Sequence, residues 1–284
     1  MSTATWVTHR KRGSGALKYT ILAIIALPWT VMPVWMLVVN SFKTESDSSV
    51  PSLALPTTWN VVENYATVFT EGNYLTGLRN SLVVAVPTIL VVLLLGSMAA
   101  WAFARSTRMT LRGAYYLMAM SIILPPAIVP TVFLVTHLGL TGGVAGYMLA
   151  LIGTRLGVVA FLATGYIRGL PIDFEEAAEI DGAGRWQIYW HVILPLLRPI
   201  LFTVAVMTMI NVWNDFFFAL YMLKGTDNAT LPLSLYNFAN SGQYGVRRNL
   251  VFAHVLLTSL PLLIAYIFLQ KRVLSGLTEG GVTG

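Results

Sequence analysis

Between Gly113 and Thr154 the chain runs for 42 residues without an aspartate, glutamate, lysine or arginine. As a single helix this stretch would measure about 63 Å, roughly twice the hydrocarbon core of a membrane, so it must fold back on itself. Thr141-Gly142-Gly143 supplies the turn. The run therefore reads as two membrane spans, the second continuing past Arg155. Tyr19 to Phe42, Asn80 to Ala104 and Asn249 to Gln270 are also charge-free and long enough to cross once, and Pro199 to Leu223 is interrupted only by Asp215. The expectation is an all-α membrane protein with six transmembrane helices, over 18–39, 80–104, 114–137, 143–168, 199–223 and 249–270. Composition agrees: 56% of the 284 residues are hydrophobic and 11% charged, where soluble chains carry about a quarter charged.

Orientation follows from the basic residues, which loops on the cytoplasmic side keep in excess. With the amino terminus inside, 12 of the 18 lysines and arginines fall on inner segments, five on outer ones, and Arg155 lies within a span. Both termini are expected in the cytoplasm, with a basic tail over 1–17, a six-span region over 18–274 and a short tail over 275–284. The same distribution accounts for the net charge of +6 without nucleic acid as a partner; the partner of the apolar surface is lipid. The first span follows a basic stretch but exceeds 20 apolar residues and has no clear small-residue cleavage site, so it reads as an uncleaved anchor.

Several chemistries are excluded. There is no cysteine, hence no disulfide, thiolate metal site or catalytic thiol. No lysine follows a glycine, so the phosphate-binding loop of an ATPase is absent, and Gly13-Ser14-Gly15 lacks the third glycine of a dinucleotide site. The four histidines are isolated, and neither a His-Glu-x-x-His nor a Gly-x-Ser-x-Gly pattern occurs. No cofactor or metal is expected on this chain, and no enzymatic activity.

The loop 171–195, between the fourth and fifth spans, holds five of the twelve acids. Pro171 and Asp173 mark a helix start, Glu175 and Glu176 suit its first turn, Gly182 and Gly184 end it, and Trp186 to Leu194 forms a second short amphipathic helix. Glu176-Ala177-Ala178, three residues, Gly182, nine residues and Val192-Ile193-Leu194-Pro195 resemble the EAA loop of permease subunits of bacterial ABC importers, with valine at one isoleucine position. Ile180-Asp181-Gly182-Ala183, Trp213-Asn214-Asp215-Phe216, Asn80-Ser81-Leu82 and the Gly276-Leu277-Thr278 ending are similar to the shorter permease of carbohydrate importers of the maltose-transporter type. The likeness extends over about residues 18 to 284.

That resemblance implies the type I ABC importer permease fold with a cytoplasmic coupling helix. It implies a second permease subunit, two ATP-binding subunits that hold ATP and magnesium, and an extracytoplasmic solute-binding protein. Glu176 would pair with a basic residue of the ATPase, Ala177, Ala178 and Gly182 would permit close approach, and Glu175, Asp181 and Arg185 would lie on the same surface. Asn237, Asn240, Gln243 and Tyr244 of the outer loop would meet the binding protein, and Gly276, Leu277, Thr278 and Gly284 the ATPase pair. The solute would be a sugar; a permease for glycerol phosphate or an amino acid, and an intramembrane enzyme, are the alternatives.

Charges inside spans are costly and mark functional candidates. Arg155 and Asp215 lie at roughly matching depths, so they either pair across the fourth and fifth helices or each reach an interface or water. Asn211, Trp213 and Asn214 beside them offer the amides and aromatic face a sugar needs, and would equally serve a tight helix contact. Pro125, Pro126 and Pro130 should kink the third helix.

Overall fold

A computed structural model describes residues 13–241 and 246–279. Gln243, Tyr244 and Gly284 lie outside the described residues. The described residues form helices joined by turns and loops, in the order α1 (Gly13–Ser41), α2 (Val61–Thr70), α3 (Tyr74–Arg105), α4 (Met109–Ile123), α5 (Ile128–His137), α6 (Val144–Arg168) and α7 (Asp173–Ile180). Then α8 (Arg185–Ile188) runs through a π-helical turn (Tyr189–Ile193) into α9 (Leu194–Leu196), followed by α10 (Arg198–Trp213), α11 (Phe217–Met222), α12 (Leu231–Asn240) and α13 (Arg248–Glu279).

Three unbroken helical stretches, Tyr74–Arg105, Val144–Arg168 and Arg248–Leu269, are long and apolar enough to cross a membrane; α8–α9 and α10 qualify together but bend by 74°. The expected third span is not kinked but broken. Leu124 takes an extended conformation (ψ 135°) before Pro125-Pro126, as the ring of a following proline demands, and helix resumes only at Ile128. The expected fifth span likewise ends at Trp213, and α11 begins after a turn that contains Asp215. The segment 224–248, expected as an outer loop, is not bare connection, because α12 fills its middle. The tail expected from residue 275 begins as helix, since α13 continues to Glu279.

The centre of the molecule is the contact of α3 with α6. Ala100 on α3 and Ala160, Ala163 and Thr164 on α6 are buried, and small residues of this kind let helices approach closely where lipid supplies no hydrophobic drive. At Gly96 a methyl group would stand 2.6 Å from Val159 Cγ1, a branched side chain with little freedom to give way. Gly96→Ala is therefore expected to cost about 1–3 kcal/mol, read as a lower unfolding midpoint of the detergent-solubilised chain. Away from this seam apolar side chains face outward, among them Ile24, Trp29, Leu90, Leu117 and Phe268. Outward apolar faces are the inverse of a soluble core and suit lipid or other membrane helices.

At the end opposite α7, segment 40–73 is tied down by polar groups. The buried Lys43 donates from Nζ to Ser52 Oγ (2.7 Å) and Asn40 Oδ1 (3.3 Å). Asn64 Nδ2 donates to the carbonyls of Ser41 and Lys43, while its Oδ1 accepts from Asn249 Nδ2 at 2.9 Å. Arg247 pairs with Glu71 at 2.7 Å. This knot holds α2 against the start of α13.

Candidate functional site

The loop 171–195 folds as two short helices around a glycine turn. Asp173, Glu175 and Glu176 occupy the first turn of α7, where the helix dipole favours acids. Its end is closed by Gly182, whose φ of +83° only glycine adopts without strain, with Gly182 N–H donating to Glu179 O and Ala183 N–H to Ala178 O, both at 3.0 Å. Gln187 Oε1 then accepts the Gly184 N–H at 2.8 Å and starts α8.

The two adjacent glutamates part company. Glu176 is exposed, and its carboxylate has no hydrogen-bond or ion-pair partner among the described residues. Glu175, expected on the same docking surface, is instead buried: its Oε1 accepts Arg105 Nε at 2.7 Å and its Oε2 accepts Trp101 Nε1 at 2.8 Å. Neighbouring helical positions point about 100° apart, so one glutamate turns inward and its neighbour outward. Ala177, Asp181, Gly182 and Arg185 are exposed and Ala178 half-buried. Sequence reasoning missed the apolar members of this surface: Ile180 is 87% exposed, Trp186 65% and Phe174 50%. Large apolar side chains exposed among charges suit contact with a protein or with a membrane surface. The alternation of Phe174 and Ile180 with acids was the available signal.

The second candidate cluster lies between α6 and the turn after α10. Tyr147 and Arg155 stand two turns apart on one face of α6. The Tyr147 hydroxyl donates to Asp215 Oδ1 at 3.0 Å, the Ala219 N–H donates to the same oxygen at 3.3 Å, and an Arg155 guanidinium nitrogen lies 4.0 Å from Asp215 Oδ2. Arg155 and Asp215 are thus brought together, with Tyr147 as a partner that spacing alone did not reveal. Trp213 is not: it is buried, and its Nε1 donates to Thr258 O of α13 at 3.2 Å. Asn211 and Asn214 are exposed on the face that also carries Met207 and Ile210, and each donates its amide to the carbonyl four residues earlier. Asn237 is half-buried and Asn240 exposed on α12. Gly276, Leu277 and Thr278 fall in the last turns of α13.

Long apolar helices with outward apolar faces suit a chain embedded in a membrane. The chain belongs to the family of binding-protein-dependent transport system inner membrane components, whose match covers residues 80–277. It is 31% identical over 264 residues to the diacetylchitobiose uptake system permease protein NgcG of Streptomyces coelicolor, covering 92% of this chain and 85% of the relative. It is 32% identical over 265 residues to the probable starch degradation products transport system permease protein AmyC of Thermoanaerobacterium thermosulfurigenes, covering 91% and 93%. The fold matches a chain in the crystal structure of a bacterial ABC transporter involved in the import of the acidic polysaccharide alginate, with a TM-score of 0.80 at 21% identity over 94% of this chain and 99% of that one.

Proposed function

We propose that this chain is the six-span permease subunit of a sugar importer in a bacterial cell membrane, with both termini in the cytoplasm. The helix pair α7–α8 is the docking element for an ATP-binding subunit: Glu176 offers a carboxylate to an arginine or lysine, and Phe174, Ile180 and Trp186 supply buried area around it. The observation that carries this reading is the outward, unpartnered Glu176 amid exposed apolar side chains. Ala177, Ala178 and Gly182 keep the contact close, Asp181 and Arg185 border it, and Gly276, Leu277 and Thr278 at the end of α13 reach the ATPase pair. ATP and magnesium are held by those partner subunits, and catalysis is theirs.

A second permease covers the exposed α10 face, on which Asn211 and Asn214 line the path of the solute. The opposite end, with Asn237 and Asn240, faces the solute-binding protein. Closure of the ATPase pair shifts α7–α8, and the bundle exchanges an inward for an outward opening because the two states bind the partners differently. The printed roles of the relatives, diacetylchitobiose uptake and transport of starch degradation products, support an oligosaccharide as solute.

The test is uptake into proteoliposomes holding this chain with its permease partner, ATPase and binding protein. Chitooligosaccharides and maltooligosaccharides are offered beside glycerol phosphate and amino acids. Accumulation of a saccharide that requires ATP and the binding protein is expected. Uptake confined to the non-sugar solutes would contradict the sugar assignment while leaving the importer reading intact.

A further inference from the structure

Ser97, Trp101 and Arg105 stand four residues apart along one face of the last turns of α3. All three are bonded to the docking loop. Arg105 and Trp101 hold the two carboxylate oxygens of Glu175 on α7, and a second Arg105 nitrogen donates to Leu170 O at 3.2 Å, just before that helix. Ser97 Oγ lies 2.8 Å from the hydroxyl of Tyr189, on the π turn after α8, and both residues are buried. Each arm of the helix pair is therefore pinned to α3.

The other end of the same helix holds the segment leading into α12. Asn80 Nδ2 donates to the carbonyls of Asp227 (2.6 Å) and Ala229 (3.0 Å), and Ser81 Oγ accepts the N–H of Leu231 at 2.8 Å. Gly77 leaves space there for Leu231 and Ser234, whose atoms would stand 3.2 Å from an added methyl group. Asn80 and Arg105 are 25 residues apart, about 38 Å along a helix. Pro87 removes one backbone hydrogen bond between them. Val84, Ala85, Thr88 and Val92 on either side of it are nevertheless buried, so neighbouring helices clamp the position.

We infer that α3 is a strut that joins the ATPase-docking loop to the segment 227–240 facing the binding protein. This rests on the reading of α7–α8 and of α12 given above. A carboxylate with both oxygens held in a buried site resists separation, because breaking either bond leaves charge unsatisfied. Displacement of α7 therefore carries the inner end of α3 with it instead of being absorbed at 169–172. The linkage is reciprocal, so a partner that moves segment 227–240 biases the docking loop by the same free energy. Arg105, Trp101 and Asn80 are positioning residues in this scheme.

The test uses the complete reconstituted complex and compares ATP hydrolysis with and without ligand-loaded binding protein for Arg105→Gln, Trp101→Phe and Asn80→Leu. All three are expected to retain the ATPase subunits and the basal rate. Stimulation by the binding protein should fall about tenfold in Arg105→Gln and in Asn80→Leu, the scale of one buried polar bond lost. The double variant should be no worse than either single one, because both interrupt one chain of contacts. Full stimulation in Arg105→Gln and Asn80→Leu, or losses that multiply in the double variant, would overturn the strut. Should Arg105→Gln fail to fold, Trp101→Phe, which frees the other Glu175 oxygen, takes its place: stimulation should fall in it and fall no further when it is combined with Asn80→Leu, and full stimulation in Trp101→Phe would overturn the strut. A wild-type complex that does not retain the ATPase subunits would refute the docking reading itself, a result distinct from failure of the strut.

Discussion

Asp215→Leu is expected to destabilise the chain by about 3–5 kcal/mol, because it leaves the Arg155 guanidinium inside the bundle with no counter-charge. The arginine has little recourse: its Nε is already buried without a hydrogen-bond partner among the described residues. The substitution also strips an acceptor from Tyr147 and from the first turn of α11. Replacing both members of the pair, as Arg155→Leu with Asp215→Leu, should recover most of the lost stability, since a buried ion pair is often matched by apolar groups of similar volume. Unfolding midpoints of the single and double variants in one detergent decide the matter. A double variant no more stable than Asp215→Leu would show that the two charges do not compensate one another. Recovery of folding without recovery of uptake would assign the pair to the solute path as well.

Glu176→Lys is expected to abolish ATP-dependent uptake while leaving the chain folded. The side chain is exposed and has no hydrogen-bond or ion-pair partner among the described residues, so the change costs little internally. Across the proposed interface it sets a cation where an arginine or lysine of the ATPase approaches, and like charges in a desolvated contact cost several kcal/mol. The neighbouring Glu175→Lys should behave differently. It places a cation against Arg105 within the subunit, so it should lower the unfolding midpoint before any question of docking arises. Uptake at the wild-type level in Glu176→Lys would remove this residue from the coupling contact.

Much of this architecture was legible because lipid imposes simple rules. The stretch expected at 143–168 is α6 (Val144–Arg168) almost to the residue, since Gly143 and Arg168 bound an uncharged run broken only by Arg155. The form of the loop 171–195 was equally clear: acids after Pro171 and glycines at 182 and 184 dictate helix, turn and helix whatever surrounds them. Other features depended on signals that were present but unused. Residues 211, 213, 214 and 215 cannot share one helical face at about 100° per residue, and the structure sends Trp213 to α13 while Asn211 and Asn214 face outward. Thr230 followed by Leu231-Pro232 has the form of a helix start, yet the Asn- and Tyr-rich composition of the segment concealed α12. What no local pattern carried was which of two adjacent glutamates turns inward. That is decided by Arg105 and Trp101, 70 and 74 residues away in sequence.

The account turns on the claim that this chain is driven by an ATPase seated on α7. The most direct measurement is to tag the chain at its amino terminus, solubilise native membranes gently and identify by mass spectrometry what purifies with it. Recovery of an ATP-binding subunit together with a second permease, with the ATP-binding subunit lost from Glu176→Lys, is the predicted result. Purification of the chain without an ATP-binding subunit, under conditions that keep other transporters of the same membranes intact, would contradict it.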